Sequence, residues 1–298
     1  MDHSINIIDG RNLRYPALLR EIPNAPEKIY ILGKLPPEES LKIAIVGTRK
    51  ATDQGRIIAK KLAEKLTNLG IVIVSGLAMG IDTAAHEGAI VANGKTIAVL
   101  ANGLDKIYPA QNENLAKKIL ELNGAIISEY EPGKPALEHQ FLERNRIVSG
   151  LSAAVIVIEA PERSGSLVTA RLAAEQGREV FVFPGPTNHP NYAGSHKLIR
   201  DGARLVSSIE DILEDLNINQ KSIRRLADKN QNDKLKFKNE ITDENQLLVL
   251  KIFQEAGEPL TIDKIIEITK LKPQTINSAI AFLVIKEIIK ETEKGYII

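Results

Sequence analysis

Cysteine and tryptophan are both absent from this 298-residue chain, and aromatic side chains are scarce, at six phenylalanines and six tyrosines. Without cysteine there can be no disulfide and no thiolate metal site, and the composition fits a reducing compartment. Neither sign of charge is in excess: 39 Lys and Arg stand against 38 Asp and Glu, a formal net charge of +1. Any attraction for an anionic partner must therefore be local rather than global. No apolar run approaches the roughly 18 residues that cross a bilayer. The start, Met1-Asp-His-Ser-Ile-Asn6, lacks the basic and apolar regions of a secretory signal. A soluble, cytoplasmic protein is expected. A Gly-x-Gly-x-x-Gly fingerprint is missing too. Gly94-Lys95-Thr96 lies after a predicted helix and before a predicted strand, the reverse of a phosphate-binding loop, so Gly94 is expected to cap a helix.

What is present is a strict alternation of short β-branched runs and amphipathic segments. Strands are predicted at 42–47, 71–75, 96–101, 125–129, 154–159, 179–183 and 203–206. Helices are predicted at 53–69, 82–92, 112–122, 139–151, 166–177, 194–201 and 208–216. Such alternation implies an α/β fold, an extended Rossmann-like, doubly wound parallel sheet with helices on both faces. Residues 1–40, punctuated by Pro16, Pro23, Pro26, Pro36 and Pro37, read as a short irregular lead-in to a main domain over 41–218. A linker follows at 219–240. Lys221 to Glu240 carries seven basic and three acidic residues and no apolar period. Residues 241–298 then give three helical patterns and a terminal hairpin near Gly295, the order of a winged-helix module.

Three predicted strands end in turns of small residues that open helices: Gly47-Thr48-Arg49, Ser75-Gly76 and Ser164-Gly165-Ser166-Leu167. Backbone N–H groups at a helix start, at the carboxyl edge of a parallel sheet, form an anion-binding arrangement. Arg49, at the end of the first of these strands, is the candidate phosphate ligand, its planar fork suiting such a group. Phe141 heads a helix that also carries Arg144, Asn145 and Arg146, and in so aromatic-poor a chain it is the candidate base-stacking platform. Alternatively, Phe141 lies in the core and Arg144 and Arg146 pair with a carboxylate such as Glu129 or Glu159. Asp82 and His86, four apart on a helix, have no further ligands beside them, and Asp82 is expected as an N-cap. Ser164 lacks the surroundings of a nucleophile elbow.

Together these residues resemble the DNA-processing protein A family, also called DprA or Smf. The resemblance runs through Gly47-Thr-Arg49, Ser75-Gly-Leu-Ala-Met-Gly-Ile-Asp82, Tyr108-Pro109 with Asn112, Glu129-Tyr130, Arg144-Asn-Arg146, Arg163-Ser-Gly-Ser166 and Gly177-Arg178. It covers about residues 10–212. It implies a single-stranded DNA-binding Rossmann-like domain that forms homodimers and delivers incoming strands to the RecA recombinase in natural transformation. No cofactor is implied. By position, Arg49 would hold a phosphate, Phe141 would stack near a base, and the backbone of Gly165 to Leu167 would line the pocket. The chain departs from the family's pattern at Glu138, where many members carry lysine, and at Leu142, where proline is usual.

Two other functions fit parts of the sequence. A nucleotide-binding enzyme resembling nucleoside monophosphate phosphoribohydrolases would use Glu129 or Glu143, although the Pro-Gly-Gly turn of those hydrolases is missing. A regulator acting through the tail is the other. Residues 241–298 hold seven basic and nine acidic residues, which suits a protein contact at least as well as DNA.

Overall fold

The computed structural model describes residues 4–218, 243–256, 259–285, 289–292 and 295–297. The chain divides into two compact units, Met1–Arg224 and Arg225–Ile298. In the first unit nine strands form one sheet in the order β1-β2-β6-β5-β4-β3-β7-β8-β9. The strands are β1 (Asn6–Asp9), β2 (Lys28–Gly33), β3 (Lys42–Val46), β4 (Val72–Ser75), β5 (Thr96–Val99), β6 (Ala125–Ser128), β7 (Ala154–Val157), β8 (Glu179–Val182) and β9 (Arg204–Leu205). From β6 to β9 every neighbouring pair is parallel.

Helices cover both faces. Strand side chains alternate between them, as a period of two requires. Ile43 and Ile45 of β3 pack on α2 (Asp53–Asn68) and α3 (Ile81–Val91), through residues such as Leu62, Leu66 and Ile81. Ala44 and Val46 face the other way. There they meet Ile147 and Val148 of α5 (Glu138–Gly150) and Ala170 and Ala173 of α6 (Gly165–Glu175). Burying both faces is what permits near-continuous Ile and Val runs, and each such side chain contributes about 1.5–3 kcal/mol. Helix α4 (Glu113–Glu121) covers the β5–β6 side, α7 (Ala193–Arg200) follows α6, and α8 (Ile209–Asp215) packs by α2. Caps fix the helix starts: Thr52 accepts the Gly55 N–H, Ser164 the Ser166 N–H, and Ser208 the Asp211 N–H.

The lead-in is corrected. Residues 4–33 are not irregular, because β1 and β2 add two antiparallel strands beyond β6. Pro16, Pro23, Pro26 and Pro36 lie outside these strands, so they punctuate without interrupting. Ile29 and Ile31 are buried in the main core. Gly94 is also corrected as the C-cap: α3 ends at Val91 with Ala92 as its C-cap, Asn93 takes the left-handed conformation, and the Gly94 N–H then reaches the Ala89 carbonyl at 3.0 Å.

In the second unit the helices are α9 (Glu244–Ala256), α10 (Ile262–Thr269) and α11 (Pro273–Ile285), and the hairpin is β10 (Lys290–Thr292) with β11 (Gly295–Ile297). Leu260, between α9 and α10, bridges to Tyr296 of the hairpin. Among the described residues this unit therefore consists of three helices followed by a two-stranded hairpin. Phe253, Ile265, Ile276 and Leu283 form its core. The linker expected at 219–240 lies outside the described residues. Among the described residues no helix is long and apolar enough to cross a membrane.

Because β2 is integral to the sheet, Ile31→Ala should cost about 2–5 kcal/mol in chemical denaturation, the range for a buried aliphatic cut to alanine. A loss below about 1 kcal/mol would show that β1 and β2 detach without the core noticing.

Candidate nucleic-acid interface

From β3 the chain crosses to β4 on one side, and β7 later returns on the other, so the strand order reverses at β3. In open α/β sheets the crevice beyond the strand ends at such a point is where ligands gather. A cleft of about 660 Å³ opens there. One wall is Gly47, Thr48 and Arg49, directly after β3, and the opposite wall is the turn leading into α6, with Arg163, Ser164, Gly165 and Ser166. A third side is one face of α5, where Glu138, Phe141, Leu142 and Asn145 all line the cleft at helical spacing.

The first two walls are joined by one carboxylate. Glu159, fully buried just past β7, accepts hydrogen bonds from the Thr52 N–H at 3.0 Å and from the Thr52 hydroxyl. Asn191 Nδ2 and the Tyr192 hydroxyl also donate to it, each at 3.0 Å. Its backbone carbonyl accepts the Thr48 N–H at 2.8 Å. Asn191 Nδ2 bonds the Lys50 carbonyl as well, at 3.0 Å. Burial pushes the Glu159 carboxyl up, but the donors from Thr52, Asn191 and Tyr192 outweigh it and hold the group below its ordinary value. The loop bearing Arg49 is thereby fixed against the strand that leads into α6.

The floor is an arginine that cannot reach solvent. Arg144 is 4% exposed, and its Nη1 donates to the Val99 carbonyl at the end of β5. A Cβ at Gly76 would overlap this guanidinium, which is why the turn after β4 carries glycine there. Asp82 sits beside it, accepting the Gly76 N–H at 3.1 Å and the Ala78 N–H at 3.4 Å. Burial raises the Asp82 carboxyl against the pull of Arg144, and burial lowers Arg144 to about 10 against the pull of Asp82. The N-cap of α3 is Gly80, at φ +84°, so the expected capping role of Asp82 is corrected: its carboxylate serves the preceding turn instead. His86 is fully buried and held neutral, its pKa lowered to about 3 by burial, with Nδ1 2.8 Å from the Thr96 hydroxyl.

Above the floor, the exposed Arg49 guanidinium lies over the Phe141 ring, 4.9 Å from its centroid. Tyr108 meets the same ring, centroids 5.5 Å apart. Asn145 Nδ2 reaches the Gly165 carbonyl at 3.2 Å and ties α5 to the start of α6. Ser164 caps α6, and its hydroxyl lies 2.7 Å from that of Ser166. The cleft thus offers a helix start, two exposed arginines and an aromatic pair.

Of the residues singled out from sequence, Gly47, Thr48, Arg49, Gly76, Phe141, Arg144, Asn145, Ser164, Gly165 and Ser166 converge on this cleft. Three do not line it. Ser75 is buried, its hydroxyl donating to the Ile45 carbonyl at 2.7 Å. Arg146 points away into a two-pronged pair with Glu129, at 2.7 and 2.6 Å, and its Nε donates to the Asn24 carbonyl. This is the structural alternative weighed for Arg146, with Glu129 as the partner. Leu167 faces a separate groove of about 690 Å³ between α6, α7 and the edge strands. The carboxylates imagined for hydrolysis lie outside the cleft too: Glu129 holds Arg146, and Glu143 accepts from the Tyr130 hydroxyl at 2.8 Å. Tyr108 and Arg163, which lie in motifs read from the sequence but were not among the expected site residues, line the cleft as well, and so does Glu138, noted from the sequence as a departure from the family's lysine.

Comparison with known proteins bears on the same region. Residues 6–217 match the family described as DNA recombination-mediator protein A. The chain belongs to this family. It is 46% identical over 202 residues to protein Smf of Escherichia coli, a match covering 68% of this chain and 54% of that protein. It is 46% identical over 199 residues to DNA processing protein DprA of Streptococcus pneumoniae, covering 67% and 70%. The chain spans about half the length of the Escherichia coli relative. The crystal structure of the Streptococcus pneumoniae protein aligns with a TM-score of 0.66 at 41% identity, covering 71% of this chain and 74% of that one. A Helicobacter pylori DNA processing protein A, studied for its single-stranded DNA binding mode, aligns at a TM-score of 0.63 and 33% identity, covering 72% and 96%.

Replacing the joining carboxylate by an amide leaves N–H donors facing donors. Glu159→Gln should therefore lose about 1–3 kcal/mol of stability at neutral pH. The folded-state pKa of Glu159 is depressed, so its contribution is complete above the unfolded value of about 4.3. That contribution drains away as pH falls through the folded value. Between about pH 5 and pH 3 the wild-type advantage over Glu159→Gln should shrink, as read from denaturation midpoints. A constant difference across that window would place the stabilisation elsewhere.

Proposed function

We propose that the switch-point cleft binds single-stranded DNA without chemistry on it, and that the protein protects incoming strands in the cytoplasm and passes them to the RecA recombinase. The observation that carries this reading is Arg49 stacked on Phe141 beside the start of α6. A cation, a π platform and a helix N-terminus meet in one cleft, which is the combination that holds a phosphate and an unstacked base together. The chain's near-zero net charge fits a local grip rather than a charged surface. The family membership and the Helicobacter pylori relative support the same ligand. A base can stack on Phe141 only if the Arg49 guanidinium moves off that ring face, which frees it for the adjoining phosphate.

A single cleft spans few nucleotides, so a homodimer would raise affinity by linking two. The region about 179–216 is the proposed contact. There β9 is the outer strand of the sheet, Leu205 is 52% exposed, and the groove beside α7 adjoins it. Sedimentation at micromolar concentration should give a dimer, and a strict monomer that still binds long strands tightly would rule out the paired clefts.

Binding should favour single strands over duplex at equal salt, because stacked, paired bases cannot reach Phe141. Arg49→Ala should weaken every sequence alike and flatten the salt dependence by about 0.7, one phosphate contact on a single strand. Phe141→Ala should cost about 1–3 kcal/mol with little change in that slope. Gel shifts and salt titrations read both, and parent-like binding by both variants would falsify the assignment. Incubation with nucleoside monophosphates should release no free base, and release would favour the hydrolase instead.

A further inference from the structure

The cleft is divided by charge. Arg49, Arg163 and the start of α6 lie on the sides formed by the strand ends, whereas the face of α5 presents Glu138, Phe141, Leu142 and Asn145. Glu138 is exposed and makes no hydrogen bond or ion pair with any described residue. One explanation is local, since a carboxylate in a first helical turn is favoured by the dipole. That explains why a carboxylate is tolerated, but not its unpaired place on the wall of an anion cleft. At physiological salt charges feel one another over about 8 Å, so a phosphate seated beside Glu138 would be repelled. The phosphate track must follow the arginine side, which leaves Glu138 facing whatever stacks on Phe141, three residues along the same helical face.

We infer that Glu138 reads the edge of the base stacked on Phe141 and makes the cleft prefer guanine. This rests on the proposed binding of single strands. An ionised carboxylate only accepts hydrogen bonds. Guanine alone presents two adjacent donors, N1–H and the N2 amine, with spacing that matches the two carboxylate oxygens. Thymine offers a single N–H flanked by two carbonyls, which repel the carboxylate. Cytosine and adenine, each with one amine next to an acceptor, fall between.

The test is fluorescence anisotropy of the full chain with three labelled nonamers: all thymidine, one central deoxyguanosine in thymidine, and one central deoxyinosine in thymidine. Inosine keeps the ring and N1–H but lacks the N2 amine. The guanine nonamer should bind at least about fivefold tighter than the thymidine one, the low end for a two-pronged base contact. Inosine should lose most of that gain. Glu138→Gln, with both a donor and an acceptor, should bind the thymidine nonamer more tightly than the wild type and show little preference among the three. Binding of all three with equal affinity, or a guanine preference that survives Glu138→Gln, overturns this inference and leaves the binding role standing. Failure to bind any of them overturns the binding role itself, and the inference with it.

Discussion

A buried carboxylate without an ion pair among the described residues holds the candidate site together. Glu159 gathers the Thr52, Asn191 and Tyr192 donors around one point past β7. Burying an ionised group costs several kcal/mol unless its lone pairs are satisfied. Here they are satisfied by donors from two segments distant in sequence, so those two and the segment of Glu159 itself are positioned by the same requirement. The Arg49 loop, the approach to α6 and the turn before α7 inherit their geometry from it.

Arg144 plays the matching part under the cleft. Its guanidinium joins α5 to the end of β5 and leaves no room for a side chain at position 76. Phe141, one turn earlier on α5, is carried by the helix that this buried contact anchors, and its ring packs against Tyr108. Of the arginines in this region, Arg144 and Arg146 are spent on structure, and Arg49 and Arg163 are the exposed ones that line the cleft. Counting basic residues in the sequence would overstate the charge available to a phosphate.

Much of the fold was legible in the sequence. The runs from Lys42 to Val46 and from Ala154 to Val157 are β-branched, buried on both faces and flanked by clear helix caps, so their type and order follow from local pattern. Strand β2 was not legible, because Ile29 and Ile31 sit among prolines and their partner, β6, is about a hundred residues away. Local pattern also converged on most of the cleft, since small-residue turns after parallel strands must share one edge. It failed for Arg146, whose direction depends on Glu129 in another element, and for Ser75, whose hydroxyl is consumed by the neighbouring strand. The role of Glu159 in joining three loops is wholly tertiary and leaves no spacing to read.

The central claim is that the strand meets the protein at the reversal of strand order. Ultraviolet cross-linking of a nonamer carrying 5-bromodeoxyuridine, followed by peptide mass spectrometry on the full chain, tests it most directly. The account predicts cross-links on the peptides that carry Tyr108 and Phe141, whose rings share the cleft. Cross-links confined to residues 219–298 would contradict it.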